Sequence, residues 1–261
     1  MGMGRRILSA TALIVGTLGY ASGGHASDMT PAAAGPSVSA NIAFTTDYVF
    51  RGFSQTGEDP TMQGGVDVSY GMFYAGIWAS GLDFGPQVAT AEVDFYTGIK
   101  KSYNNLNFDF GVIYYAYPGA EDGGAELNYV ELKAGVSTSI DKLGIGATVF
   151  YSPEYTGETG DTVTVEGKAS YEFASFRGVT PTVSALVGTT ISTDDDPAFS
   201  AVFANGDDSY VYWNAGLTLS YDKLSLDFRY WDTDVSDAGG FCSGALFQCD
   251  ERFTFTAAVT F

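Results

Sequence analysis

The chain has 261 residues, 45% of them hydrophobic and 15% aromatic, with 33 glycines and a formal net charge of −19. So acidic a chain repels nucleic-acid phosphates, and no basic patch offers a nucleic-acid surface. The length suits one all-β domain, and glycine, tyrosine and phenylalanine are what a membrane barrel uses for turns, close strand contacts and interfacial rings.

Residues 1–26 read as a secretory signal for export through the Sec pathway. Arg5 and Arg6 form its charged end, Ile7 to Tyr20 its apolar run, and Gly24-His25-Ala26 places small residues at the cleavage spacing. A transmembrane helix is the alternative, but the run is short and no stop-transfer flank follows. Residues 27–39 hold two prolines, Pro31 and Pro36, and are expected to form a flexible periplasmic leader.

From residue 40 a two-residue period takes over. Ile42, Phe44, Tyr48 and Phe50 share one face of a first strand, and Met62, Val66, Val68 and Tyr70 one face of a second. Asp47, Arg51, Gln63 and Asp67 fall between them. Such alternation means a sheet whose two faces meet different media, lipid outside and a polar lumen inside. Twelve strands are predicted, near 40–50, 61–70, 73–82, 91–101, 106–117, 127–139, 143–152, 162–173, 179–191, 209–221, 224–231 and 252–261.

Three runs near the start carry a family resemblance: Asp47-Tyr48-x-Phe50-Arg51-Gly52-x-Ser54-Gln55-Thr56, Pro60-x-x-Gln63-Gly64-Gly65-x-Asp67 and Phe73-Tyr74-Ala75-Gly76-x-Trp78-Ala79-Ser80. Glu92-Val93-Asp94-Phe95-Tyr96, Tyr114-Tyr115-Ala116-Tyr117-Pro118-Gly119 and Tyr129-Val130-Glu131-Leu132 continue it. Over residues 41–135 the chain resembles the TorF family of porin-like outer-membrane barrels. Val49 and Phe53 stand where that family's pattern has Arg and Ile. The resemblance implies an architecture and carries no substrate.

The connections alternate in length. Short turns fall at Gly71, Asn104-Asn105, Asp141-Lys142, 174–178 and Asp222-Lys223, and long ones at 51–60, 83–90, 118–126, 153–161, 192–208 and 232–251. Outer-membrane barrels keep short turns periplasmic and long loops outside, which an even strand count extends to both termini. The six long connections hold 19 acidic residues and no base except Arg51 at their edge. The last strand alternates Phe253, Phe255, Ala257, Val259 and Phe261 with Thr254, Thr256, Ala258 and Thr260, resembling the terminal signal read by barrel-assembly machinery. Girdle aromatics are expected at Tyr70, Phe73, Tyr103, Phe173 and Tyr221 on the short-turn side. On the long-loop side Phe50, Phe84, Tyr117, Tyr151, Tyr230 and Trp231 are expected.

Barrel lipases and acyltransferases use a histidine base, and the single histidine, His25, lies within the signal. No GxSxG or SxxK stands out, so no enzyme, cofactor or metal centre is implied. Cys242 and Cys249 are expected to form a disulfide in an exported chain, since a metal site would want further soft ligands. Asp194-Asp195-Asp196 and Asp207-Asp208 read as a solvated loop, with calcium or a divalent bridge to lipopolysaccharide as alternatives.

Alternation places a charged set in the lumen: Asp47, Arg51, Asp67, Glu92, Asp94, Lys100 and Asp109, then Glu131, Lys133, Glu166, Lys168, Asp227 and Arg229, with Glu172 and Arg252 on the same face. Glu131/Lys133, Glu166/Lys168 and Asp227/Arg229 sit two apart on one strand face. They serve equally as a polar pore wall or as an ion-pair network filling a closed barrel. The whole reads as a single antiparallel transmembrane β-barrel over residues 40–261, in the outer membrane of a Gram-negative bacterium. Its expected role is passive diffusion of small hydrophilic solutes with a preference for cations; the alternative is a plugged barrel displaying acidic loops. Expected partners are outer-membrane lipid, lipopolysaccharide, the assembly machinery at Phe261, and small solutes or cations.

Overall fold

The structure is a computed structural model that describes residues 35–84, 88–120, 126–194, 196–243 and 248–261. The signal and most of the leader lie outside the described residues. In chain order the strands are β1 (Ser37–Thr45), β2 (Val49–Phe50), β3 (Phe53–Ser54), β4 (Thr61–Tyr70), β5 (Phe73–Gly81), β6 (Ala91–Tyr103) and β7 (Leu106–Ala116). Then follow β8 (Tyr129–Ile140), β9 (Leu143–Ser152), β10 (Thr162–Glu172), β11 (Thr180–Ser192), helix α1 (Pro197–Phe203), β12 (Ser209–Tyr221), β13 (Leu224–Thr233) and β14 (Arg252–Thr260).

Twelve of these strands form one closed antiparallel barrel, in which β1 lies between β4 and β14. Closure runs through Ile42, opposite Gly64 on β4 and Val259 on β14. For twelve strands about 4.8 Å apart and tilted by roughly 40°, the backbone radius is about 12 Å. Ile42, Met62, Val66, Ile77, Phe95, Val149 and Phe228 point outward and are exposed, a face suited to lipid. Their neighbours Gln63, Ser80, Glu92, Asp94 and Thr164 point inward and are buried. Short turns are built where the side chain tolerates positive φ: Asn104, Asp141 and Asp222 sit at 53°, 56° and 52°. The turn between β10 and β11, expected at 174–178, is longer than the other short turns and is closed by a bridge between Phe176 and Val179.

The first strand departs from expectation. It begins at Ser37 and stops at Thr45, where 40–50 was expected, and the chain then turns into the lumen. Asp47 causes the turn. Its carboxylate accepts hydrogen bonds from Ser54 Oγ at 2.7 Å and Thr56 Oγ1 at 2.9 Å and meets Arg252 at 3.2 Å. Three partners reachable only from inside outweigh one more turn of ladder pairing. Tyr48 and Phe50 therefore leave the lipid-facing row. Phe84 and Tyr117 also pack on the interior cluster rather than in a girdle, and Trp231 is buried with its indole N–H donated to Thr254. The short-turn aromatics Tyr70, Phe73, Tyr103, Phe173 and Tyr221 are exposed as expected.

The second departure is α1, in a stretch expected to be solvated loop. Asp196 caps it, accepting from Ala198 N at 2.7 Å, and Pro197 opens the first turn. Phe199 and Phe203 are buried against the barrel mouth, which anchors this short helix.

Candidate functional site

A closed barrel encloses a lumen, and β2 and β3 occupy its long-loop end. Together they make a two-residue hairpin with Arg51 and Gly52 at the tip, φ 49° and 91°. Two successive positive φ values suit the mirror-image turn that matches strand twist. Gly52 has a second reason to be glycine: a Cβ there would collide with Thr233 Cγ2 and crowd Tyr212 Cβ. The tip thus touches β12 and β13 on one wall.

On the other wall it reaches β8. Arg51 donates two parallel hydrogen bonds to Glu131, at 2.7 and 2.9 Å, and both side chains are wholly buried. Tyr115 adds a third donor to Glu131 at 3.0 Å. The guanidinium lies 4.8 Å from the Phe50 ring centroid and 5.0 Å from that of Phe150. The hairpin root is held in turn: Tyr48 donates to Glu92 Oε1 at 2.7 Å, and Gln55 N bonds back to Tyr48 O. Root at β1, tip at β8 and β12–β13, the hairpin crosses the lumen.

Other elements pack on it. Phe53 sits edge-on to Phe203 of α1 and to Tyr210 of β12, at 5.9 and 5.1 Å. Cys242 and Cys249 are disulfide-bonded, Cα atoms 4.6 Å apart. They lie in the last long loop, as expected, and both are buried in the mouth cluster, where Gln248 O accepts from Ser54 N. Asp237, Cys242 and Asp250 lie together, yet the sulfur is committed to the disulfide and offers no thiolate. Burial, with the nearby Asp237 charge, pushes the Asp250 carboxyl above its usual range. In the loop before α1, the Asp161 backbone N–H and the Ser192 hydroxyl hold Asp194 below its own.

The charged set divides by depth. Near the hairpin lie Glu92, Asp94 and Glu131. Asp94 is wholly buried, and neither of its oxygens has a hydrogen-bond partner among the described residues. Toward the short turns, Tyr96 donates to Asp67 at 2.7 Å and Tyr74 to Asp109 at 2.8 Å. Lys133 pairs with Asp109 at 2.9 Å, and Lys100 Nζ lies 4.7 Å over the Tyr74 ring. Of the pairs expected along one strand, only Asp227 and Arg229 form, at 2.9 Å, with Asn214 and Ser184 taking the remaining guanidinium donors. Glu131 turns to Arg51 and Lys133 to Asp109. Glu166 accepts from Tyr212 at 2.6 Å, and among the described residues Lys168 makes no ion pair. The partners chosen come from other elements, the inserted hairpin for Glu131, the adjacent strand β7 for Lys133 and β12 for Glu166.

Sequence reasoning missed the tyrosines. Tyr48, Tyr115, Tyr129, Tyr155, Tyr210 and Tyr212 are all buried inside the barrel. One signal was available: Arg51-Gly52 between two phenylalanines, where a strand would have kept alternating.

A family model described as "Bacterial protein of unknown function (Gcw_chp)" matches residues 29–261. No curated protein matches the sequence. Among solved structures, a NanC porin in a rhombohedral crystal form is similar at 11% identity and a TM-score of 0.54, over 86% of this chain and 99% of that one. A KdgM porin is similar at 7% identity and a TM-score of 0.54, over 85% of this chain and 98% of that one. At such identities the likeness is one of fold.

Proposed function

We propose, from the premise that the chain belongs to the Gcw_chp family, that it is a porin-like channel of a Gram-negative outer membrane, restricted at its outer end by the β2–β3 hairpin. Both termini and the short turns face the periplasm in this reading, and the long loops face outward. A signal read by the Sec pathway and assembly through the strand ending at Phe261 belong to the same proposal. So does the finer assignment to the TorF family, which the motifs in 41–135 support.

The observation that carries the reading is a closed barrel with an apolar exterior and a charged lumen. Solutes small enough to pass beside the hairpin are small and hydrophilic. The hairpin also favours a second reading, a plugged barrel that displays acidic loops to lipopolysaccharide and divalent ions. Liposome swelling with sugars of graded size separates the two. Flux for the smallest sugars only supports the restricted channel; swelling no faster than empty liposomes favours the plug.

A further inference from the structure

We propose that an aromatic-walled cavity above the hairpin binds a small, neutral, apolar molecule built on one or two fused aromatic rings. The cavity holds about 210 Å³. Phe50 and Phe53 of the hairpin, Tyr129 at the start of β8, Tyr155, Phe203 of α1 and Tyr210 of β12 are among its lining residues. Tyr129 is held in place by stacking on Tyr115, with centroids 4.3 Å apart and planes within 5°.

Size sets the first limit. A dry protein cavity of about 150 Å³ is enough for benzene, so this one takes a ring of that size or a fused pair. Chemistry sets the second. A buried water needs two to four polar partners, and several of those in the wall are already engaged: the Thr156 and Thr159 hydroxyls donate to Leu127 O and Thr156 O, the Tyr155 hydroxyl accepts from Arg51, and the Gln55 amide N–H donates to Phe53 O. Water gains little in this space, and an apolar ring gains offset and edge-on contacts with several aromatic walls. Charge sets the third. Glu154 and Glu158 are exposed on the same loop as the lining residues Tyr155, Thr156, Gly157 and Thr159, and an anion would enter against their field. Cavities that bind small molecules combine an apolar lining with a few polar groups, which describes this one.

The occupant would touch the hairpin, α1 and residues of three inter-strand loops at once. Binding here is independent of flux, so a barrel that fails the swelling test can still pass this one.

The test is saturation-transfer NMR on the full chain in lipid nanodiscs, with indole as probe and benzoate as its anionic counterpart. Empty nanodiscs measure partition into lipid. Expected is saturable indole transfer above that background, with benzoate at least about tenfold weaker. Val202→Trp and Thr156→Phe each fill the cavity from a different side, and a heat-modifiable gel band confirms which of them folds. Indole transfer should drop about tenfold in either folded variant, and stay unchanged in Phe228→Leu on the lipid face. Transfer no greater than from empty nanodiscs, or undiminished in a folded filled variant, overturns the proposal, as does benzoate binding as tightly as indole.

Discussion

Arg51 is wholly buried, and its charge is answered by both oxygens of Glu131 and by the faces of Phe50 and Phe150. Removing one partner of a buried pair typically costs about 3–5 kcal/mol, because the other charge is left desolvated. Here that cost falls on the hairpin rather than on the barrel, whose ladders do not involve the tip. Arg51→Ala and Glu131→Gln should therefore loosen the hairpin and raise single-channel conductance in planar bilayers, while the heat-modifiable band persists. Arg51→Lys should resemble them, since an ammonium cannot make the two-point contact. Unchanged conductance in all three variants would mean that the hairpin does not restrict the lumen.

The hairpin, α1 and the disulfide loop are held by the barrel and do not hold it. β2 and β3 are two residues each, too short to be stable unless packed. Phe53, Phe203, Tyr210 and Tyr155 supply that packing, with edge-on aromatic pairs worth about 0.5–1.5 kcal/mol apiece. The Cys242–Cys249 bond closes a loop that lies on β3 through the Gln248 carbonyl. Cys242→Ser should leave the barrel folded and lower the protection of the Ser54 amide in hydrogen exchange. If thiol labelling without reductant modified two cysteines per chain, the crosslink would be absent and this coupling with it.

For the molecule as a whole, the charge distribution argues for cations. The mouth loops carry most of the chain's acidic excess, whereas toward the short turns Lys100, Lys133 and Lys168 offset Asp67 and Asp109. Selectivity should therefore arise at the outer mouth. The Debye length is about 10 Å at 0.1 M salt and about 3 Å at 1 M, so the preference should fade as salt rises. The zero-current potential under a potassium chloride gradient measures it, and a chloride preference at low salt would refute this placement of charge.

Most of the barrel was legible from residue order, because one lipid face and one lumen face impose a strict two-residue period on every strand. Strand count, the short turns and the sign of the lumen face all follow from it. β4, β9 and β12 begin and end where that pattern predicts. Alternation says nothing about a segment whose two sides both meet protein. Residues 48–56 are of that kind, so Tyr48 and Phe50 were read as lipid-facing, and 197–203 form a helix with one buried face, which a two-residue period does not describe and which was read as loop. Alternation assigns a face but not a partner: that Glu131 answers Arg51 rather than Lys133, across 80 residues of sequence, depended on closing the barrel and folding the hairpin into it.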